Sequence, residues 1–153
     1  MFIQAKNGPY GFDICPAFWN WLIRQARAGT VYSSIMVYEE LVNGDDELAE
    51  WVGRSENRSL FVGPSASVQA IYRSIIEKIR ANRNYAPHHV KSFLDKADPW
   101  VIAQAKNDGS VVVTQETLAG IDTKKVKIPN ICVELGVEYK DTYQMLRALK
   151  ASF

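Results

Sequence analysis

Three consecutive valines, Val111 to Val113, closed by Thr114, leave this chain few folds to choose from. A continuous β-branched run bounded by turn residues reads as a strand covered on both faces, as in a parallel sheet. The segments around it carry helical periodicity. PAFWNWLIRQARAG places Pro16 at a helix start, Phe18, Trp19, Leu22, Ile23 and Ala26 on an apolar face, and Gly29 as a stop. SSIMVYEELVNG follows with Ser33 or Ser34 as N-cap and Gly44 as terminator, and Asp45 is the expected N-cap of a third helix, DDELAEWVGRS. SLFVG reads as a second short strand before Gly63-Pro64.

The clearest helix is SASVQAIYRSIIEKIRANR, where Val68, Ile71, Tyr72, Ile75, Ile76 and Ile79 share a face. PHHVKSFLDKA predicts a shorter one. In the next, Asp98 suits the N-cap and Pro99 the first helical position, with Gly109 as the stop. VKIPNICVELGV predicts a helix with a weak strand near Val137, and DTYQMLRALKASF a last amphipathic helix. Helices thus outnumber strands, and the strands are short, apolar and separated by helices. The expected class is α/β, a three-layer α/β/α sandwich with a small, mostly parallel sheet. Such a sheet needs a central strand, and FIQAK at residues 2–6 is the one segment at the start that can supply part of it. An abbreviated opening is therefore expected.

With 153 residues and 47% apolar content, the chain suits one domain with a sizeable core. A formal charge of +1 gives no molecule-wide field to announce nucleic acid or membrane binding. No apolar run has bilayer-spanning length, and Gln4 and Lys6 interrupt the start too early for a signal peptide, so a cytoplasmic location is the expectation. Cys15 and Cys132 are far apart among apolar neighbours and read as buried, reduced thiols. His88 and His89 are adjacent, so on a helix their side chains diverge by about 100° and read as surface or capping residues rather than ligands of one metal. The aromatic residues Phe18, Trp19, Trp21, Trp51 and Trp100 fit helical periodicity and are assigned to packing.

In open α/β sheets ligands collect beyond the carboxyl ends of the strands. After the valine run those positions hold Thr114, Gln115 and Glu116. Asp98, at a helix start, would face the same crevice, although on spacing alone a capping role is favoured. Glu39 and Glu40 lie on a helix rich in apolar residues, where charged side chains usually form the solvated face. Carboxylates from distant segments would meet in one pocket only at a cost that a divalent cation such as Mg²⁺ or Mn²⁺ removes. No GxGxxG or GxxxxGK[ST] loop is present to support a flavodoxin-type nucleotide site.

Three segments in order, GTVYSSIMVYEELVNG, ADPWVIAQAKNDGSVVVTQE and KVKIPNICVELGV, together with FIQAKN and FDICPAFWNWL, resemble the PIN-domain ribonucleases. The likeness is to a bacterial subgroup related to the toxins of VapBC-type toxin–antitoxin pairs. It implies a single PIN-like domain over 1–153 that hydrolyses RNA phosphodiester bonds with Mg²⁺ or Mn²⁺. Glu40, Asp98 and Glu116 are then the metal-holding and catalytic acids, and Thr114 shapes the rim. The family's first acid, an Asp ending the first strand, has no counterpart: the chain begins inside that pattern, and Asp13 lies too far downstream to replace it. The implied alternative is a catalytically impaired PIN-like protein that binds RNA or a protein partner. Homodimerisation and a cognate antitoxin are further implied. Lys124, Lys125 and Lys127 form one basic cluster for an RNA backbone, and Arg80 and Arg83 at the end of the long helix another; taken singly, each also reads as ordinary solubilising charge.

Overall fold

The computed structural model describes all 153 residues. In chain order the elements are α1 (Phe2–Lys6), α2 (Pro16–Arg27), β1 (Ser33–Ser34), α3 (Ile35–Val42), α4 (Glu47–Gly53), a 3₁₀ turn (Ser55–Leu60), β2 (Phe61–Val62), α5 (Ala66–Ala81), α6 (Pro87–Leu94), α7 (Asp98–Asp108), β3 (Val112–Val113), α8 (Ile128–Leu135), β4 (Tyr139–Lys140) and α9 (Thr142–Ala148). The fold is mixed α/β, mostly helical, with small parallel sheets. They are two separate ladders, β1 with β2 and β3 with β4, and both are parallel. The residues divide into two compact units, Met1–Gly63 with Thr142–Phe153, and Pro64–Asp141. No helix is long and apolar enough to cross a membrane.

The first unit is built around α2. Phe18 and Leu22 are fully buried, and Trp19, Trp21, Ile23 and Ala26 nearly so, which uses the apolar stripe that the sequence spacing predicts. Trp19 stacks on Phe12 with ring centroids 4.3 Å apart and meets Trp51 edge-on at 4.8 Å. Its indole N–H is not stranded by this burial, because it donates to the Tyr10 carbonyl at 2.7 Å. Ser34 caps α3 by accepting from the Met36 N–H.

Two expectations fail in this unit. FIQAK is a helix, not the tail of a strand: the Ala5 N–H donates to the Met1 carbonyl and the Asn7 N–H to the Ile3 carbonyl, each at 2.9 Å. Gln4, Ala5 and Lys6 are good helix formers, and Phe2 and Ala5, three residues apart, turn to one side where both are buried. An extended segment would need a neighbouring strand for its backbone groups, whereas the helix satisfies them locally. The cap of α4 is Asp46 rather than Asp45: its carboxylate accepts from the Ala49 N–H at 2.9 Å and from Lys6 Nζ at 2.6 Å. The second bond ties α4 to α1 and explains why the later of the two aspartates is chosen.

In the second unit α5 and α7 pack together and carry the core with α8. Val68, Ile75 and Ile79 of α5 face Ile102 and Ala103 of α7, with Cys132 of α8 fully buried in the same cluster. Trp100 is half-buried and stacks on Tyr72 with centroids 3.6 Å apart. Ser65 caps α5 through the Val68 N–H at 3.2 Å. The valine run is shorter and less covered than expected: Val112 is 2% exposed but Val111 38%, and the pairing extends over Val112 and Val113 alone. Val112 points to the covered face, while Val111 and Val113 alternate to the other face, where they are exposed and half-buried. The weak strand falls at Tyr139–Lys140, two residues beyond Val137, which is itself a buried core residue. Of the two thiols, Cys132 is buried as expected but Cys15 is half-buried, since it sits at the N-cap of α2.

Candidate active site at the carboxyl edge of the second ladder

The β3–β4 ladder fixes the geometry of the best candidate. Val112 pairs with Tyr139 and Val113 with Lys140. The Val112 N–H donates to the Glu138 carbonyl and the Thr114 N–H to the Lys140 carbonyl, both at 2.9 Å. Thr114 is therefore locked at the strand's exit, 4% exposed, and its hydroxyl accepts from the Glu116 N–H at 3.1 Å. This local turn lifts the next residues off the sheet line.

Glu116 then reaches the start of α8, where Oε2 accepts from the Ile128 N–H at 2.8 Å. A carboxylate at a helix N-terminus satisfies a donor that the helix leaves unpaired and meets the positive end of its dipole. The intervening segment is fastened by Asn130, whose side-chain carbonyl accepts from the Ala119 N–H and whose amide donates to the Ala119 carbonyl, both at 3.0 Å. The residues after the strand thus form a braced loop.

Asp98 opens α7 as its first helical residue, preceded by Ala97, so it stands one position inside the helix rather than at the N-cap that its sequence context suggests. The Ala97 conformation is helix-like, φ −70° and ψ −14°, which moves the boundary upstream by a residue. α7 runs down into Gly109, whose positive φ of 63° ends the helix, and the chain reverses into β3. α7 packs against β3 and enters it through this reversal, so Asp98 lies at the end of α7 away from the turn. Asp98 is half-buried there, and Glu116 past the strand's exit is exposed. A further acid at the strand exits is Asp141, directly after β4 and beside Thr114 in the ladder register. Placing the last strand near Val137 hid it, since an edge position is visible only once the strand's exit is located.

Glu40, on the exposed side of α3, belongs to the first unit, as does Glu39. Nowhere in the structure do three or more His, Cys, Asp or Glu side chains gather in a group able to hold a metal ion.

The basic candidates all belong to the second unit, where the Ala86 N–H donates to the Lys124 carbonyl at 2.9 Å. Lys124 and Lys125 are exposed, and Lys127 is half-buried with Nζ 3.5 Å from the Thr117 carbonyl. Arg80 lies in the last turn of α5 and Arg83 just past it, both exposed. His88 and His89 occupy the first turn of α6 with rings 4.0 Å apart. Partial desolvation, then the neighbouring His88 and Lys125, hold the His89 imidazole below its usual pKa, so it favours the neutral form.

The chain belongs to the family described as Domain of unknown function (DUF4411), whose model matches residues 1–153. No curated protein and no solved structure matches it.

Proposed function

We propose that this protein is a PIN-like endoribonuclease acting on RNA phosphodiester bonds, with a three-layer α/β/α arrangement as its fold. The observation that supports this is the position of Glu116 just past the exit of β3, on the carboxyl edge of a parallel ladder, where α/β proteins collect ligands. Thr114 orients the loop that carries Glu116. Asp98, half-buried at a helix start, is the candidate to accept a proton from an attacking water, and Glu116 keeps the turn in register through its bond to the α8 amide. The resemblance adds Glu40 as a further acid, Mg²⁺ or Mn²⁺ as cofactor, a cytoplasmic homodimer and the toxin role in a toxin–antitoxin pair. No catalytic step is assigned to an ion, because three or more ligating side chains do not gather in one group. Lys124, Lys125, Lys127, Arg80 and Arg83 are the proposed contacts to the RNA backbone.

A second function, binding RNA or a protein partner without cleavage, is favoured by one bond: Glu116 spends an oxygen on the Ile128 amide, a structural task that needs no substrate. One experiment separates the two. Purified protein with Mn²⁺ is expected to cleave single-stranded RNA, and Glu40→Gln, Asp98→Asn and Glu116→Gln each to remove the cleavage. Activity that survives all three changes would overturn the assignment, and RNA retention without cleavage by the unaltered protein would establish the binding role.

A further inference from the structure

The first unit carries an open surface cleft of about 250 Å³ among α2, α4 and the 3₁₀ turn, lined by Asn20, Arg24, Arg27, Trp51, Arg54 and Glu56 among others. Asn20, Arg24 and Arg27 follow one another at helical spacing along the polar side of α2, opposite the buried Phe18 and Leu22. Arg54 comes from the residue that ends α4. The helix dipoles of α2 and α4 account for an arginine at each end, but not for the convergence of both ends on one cleft. Arg24, Arg27 and Arg54 line this open cleft with a single carboxylate, Glu56; all four residues are exposed, and none of the ion pairs in the structure involves them. Like charges lining one cleft repel, more weakly for being exposed, and an anion between them offsets that repulsion. The walls suit one kind of anion. Guanidinium forks match the tetrahedral oxygens of phosphate, the Asn20 amide adds a donor, and Trp51, 6% exposed, offers an apolar edge beside them.

We propose that this cleft is a phosphate-binding site in which Arg24, Arg27 and Arg54 hold a phosphate group, either free or as part of a nucleic acid backbone. It lies in a different unit from Asp98 and Glu116 and needs no turnover, so it stands or falls independently of the ribonuclease assignment.

The test follows the indole N–H resonance of Trp51 by NMR, with calorimetry alongside, during titration with inorganic phosphate and separately with a 5′-phosphorylated single-stranded oligoribonucleotide at low salt. A saturable shift is expected, weakened at least tenfold by Arg24→Gln or Arg54→Gln and only partly restored by Arg24→Lys, which keeps charge but loses the fork. Arg73→Gln on α5 is the control and should leave binding unchanged. Phosphate that displaces the oligonucleotide identifies a backbone phosphate as occupant; a response to phosphate alone identifies the free anion. The proposal is overturned if neither ligand moves the Trp51 resonance saturably, if the oligonucleotide binds without moving it, or if Arg73→Gln weakens binding as much as the cleft variants do.

Discussion

Asp46 shows how much one side chain can organise. Its carboxylate caps α4 through the Ala49 N–H and binds Lys6 of α1, and these two bonds, the Lys6 bond foremost, hold its pKa below the ordinary value. A carboxyl group with a depressed folded-state pKa adds stability above its unfolded pKa, and that stability is lost as pH falls through the folded value. Between about pH 6 and about pH 3 the melting temperature of the native protein should therefore fall more than that of Asp46→Asn, which keeps a capping oxygen but has no charge to lose. Calorimetric scans across that range would show parallel curves if the Lys6 contact contributed nothing. The sequence marked an aspartate cap at this place but not which of Asp45 and Asp46, because the choice depends on Lys6, 40 positions away.

At the scale of elements, the loop between β3 and α8 carries the most testable polar wiring. Glu116→Ala removes the acceptor of the Ile128 N–H at the mouth of α8, and should lower stability by about 1 kcal/mol in chemical denaturation, while Glu116→Gln, which retains an acceptor oxygen, should lose less. Equal losses would mean that the side chain matters here only for its charge. Helices were the most legible elements. The α2 and α5 stripes, Phe18 to Ala26 and Val68 to Ile79, follow from spacing alone, since each helix must bury its apolar side somewhere. Strands were less legible. SVVVT and SLFVG were located, yet each pairs over two residues, and how far a ladder runs depends on the neighbour rather than on β propensity. FIQAK is ambiguous in sequence because five residues with two leading apolar side chains fit a strand or a helix equally well until burial of Phe2 and Ala5 selects one.

For the molecule as a whole, the two thiols report on how the units open. Cys132 lies fully buried in the core of the second unit, and burial pushes its thiol pKa up to about 12, so it is nearly all protonated at neutral pH. Cys15 is half-buried at the start of α2. An alkylating reagent should modify Cys15 first, and Cys132 only at the rate at which the second unit unfolds. Cys132→Ser should abolish the slow phase and leave the fast one, as resolved by mass spectrometry over time; a fast second modification of the native chain would show that the core opens without unfolding. By itself, the sequence determined the class, helices over short parallel strands, and the position of Glu116 just past the valine run, because periodicity and the exit of a β-branched run are local properties. The tertiary structure alone decided that the opening is helical, that Asp141 stands beside Thr114, and that Arg24, Arg27 and Arg54 share a cleft. Each of those depends on which distant segments meet, and side-chain spacing along a chain carries no record of that.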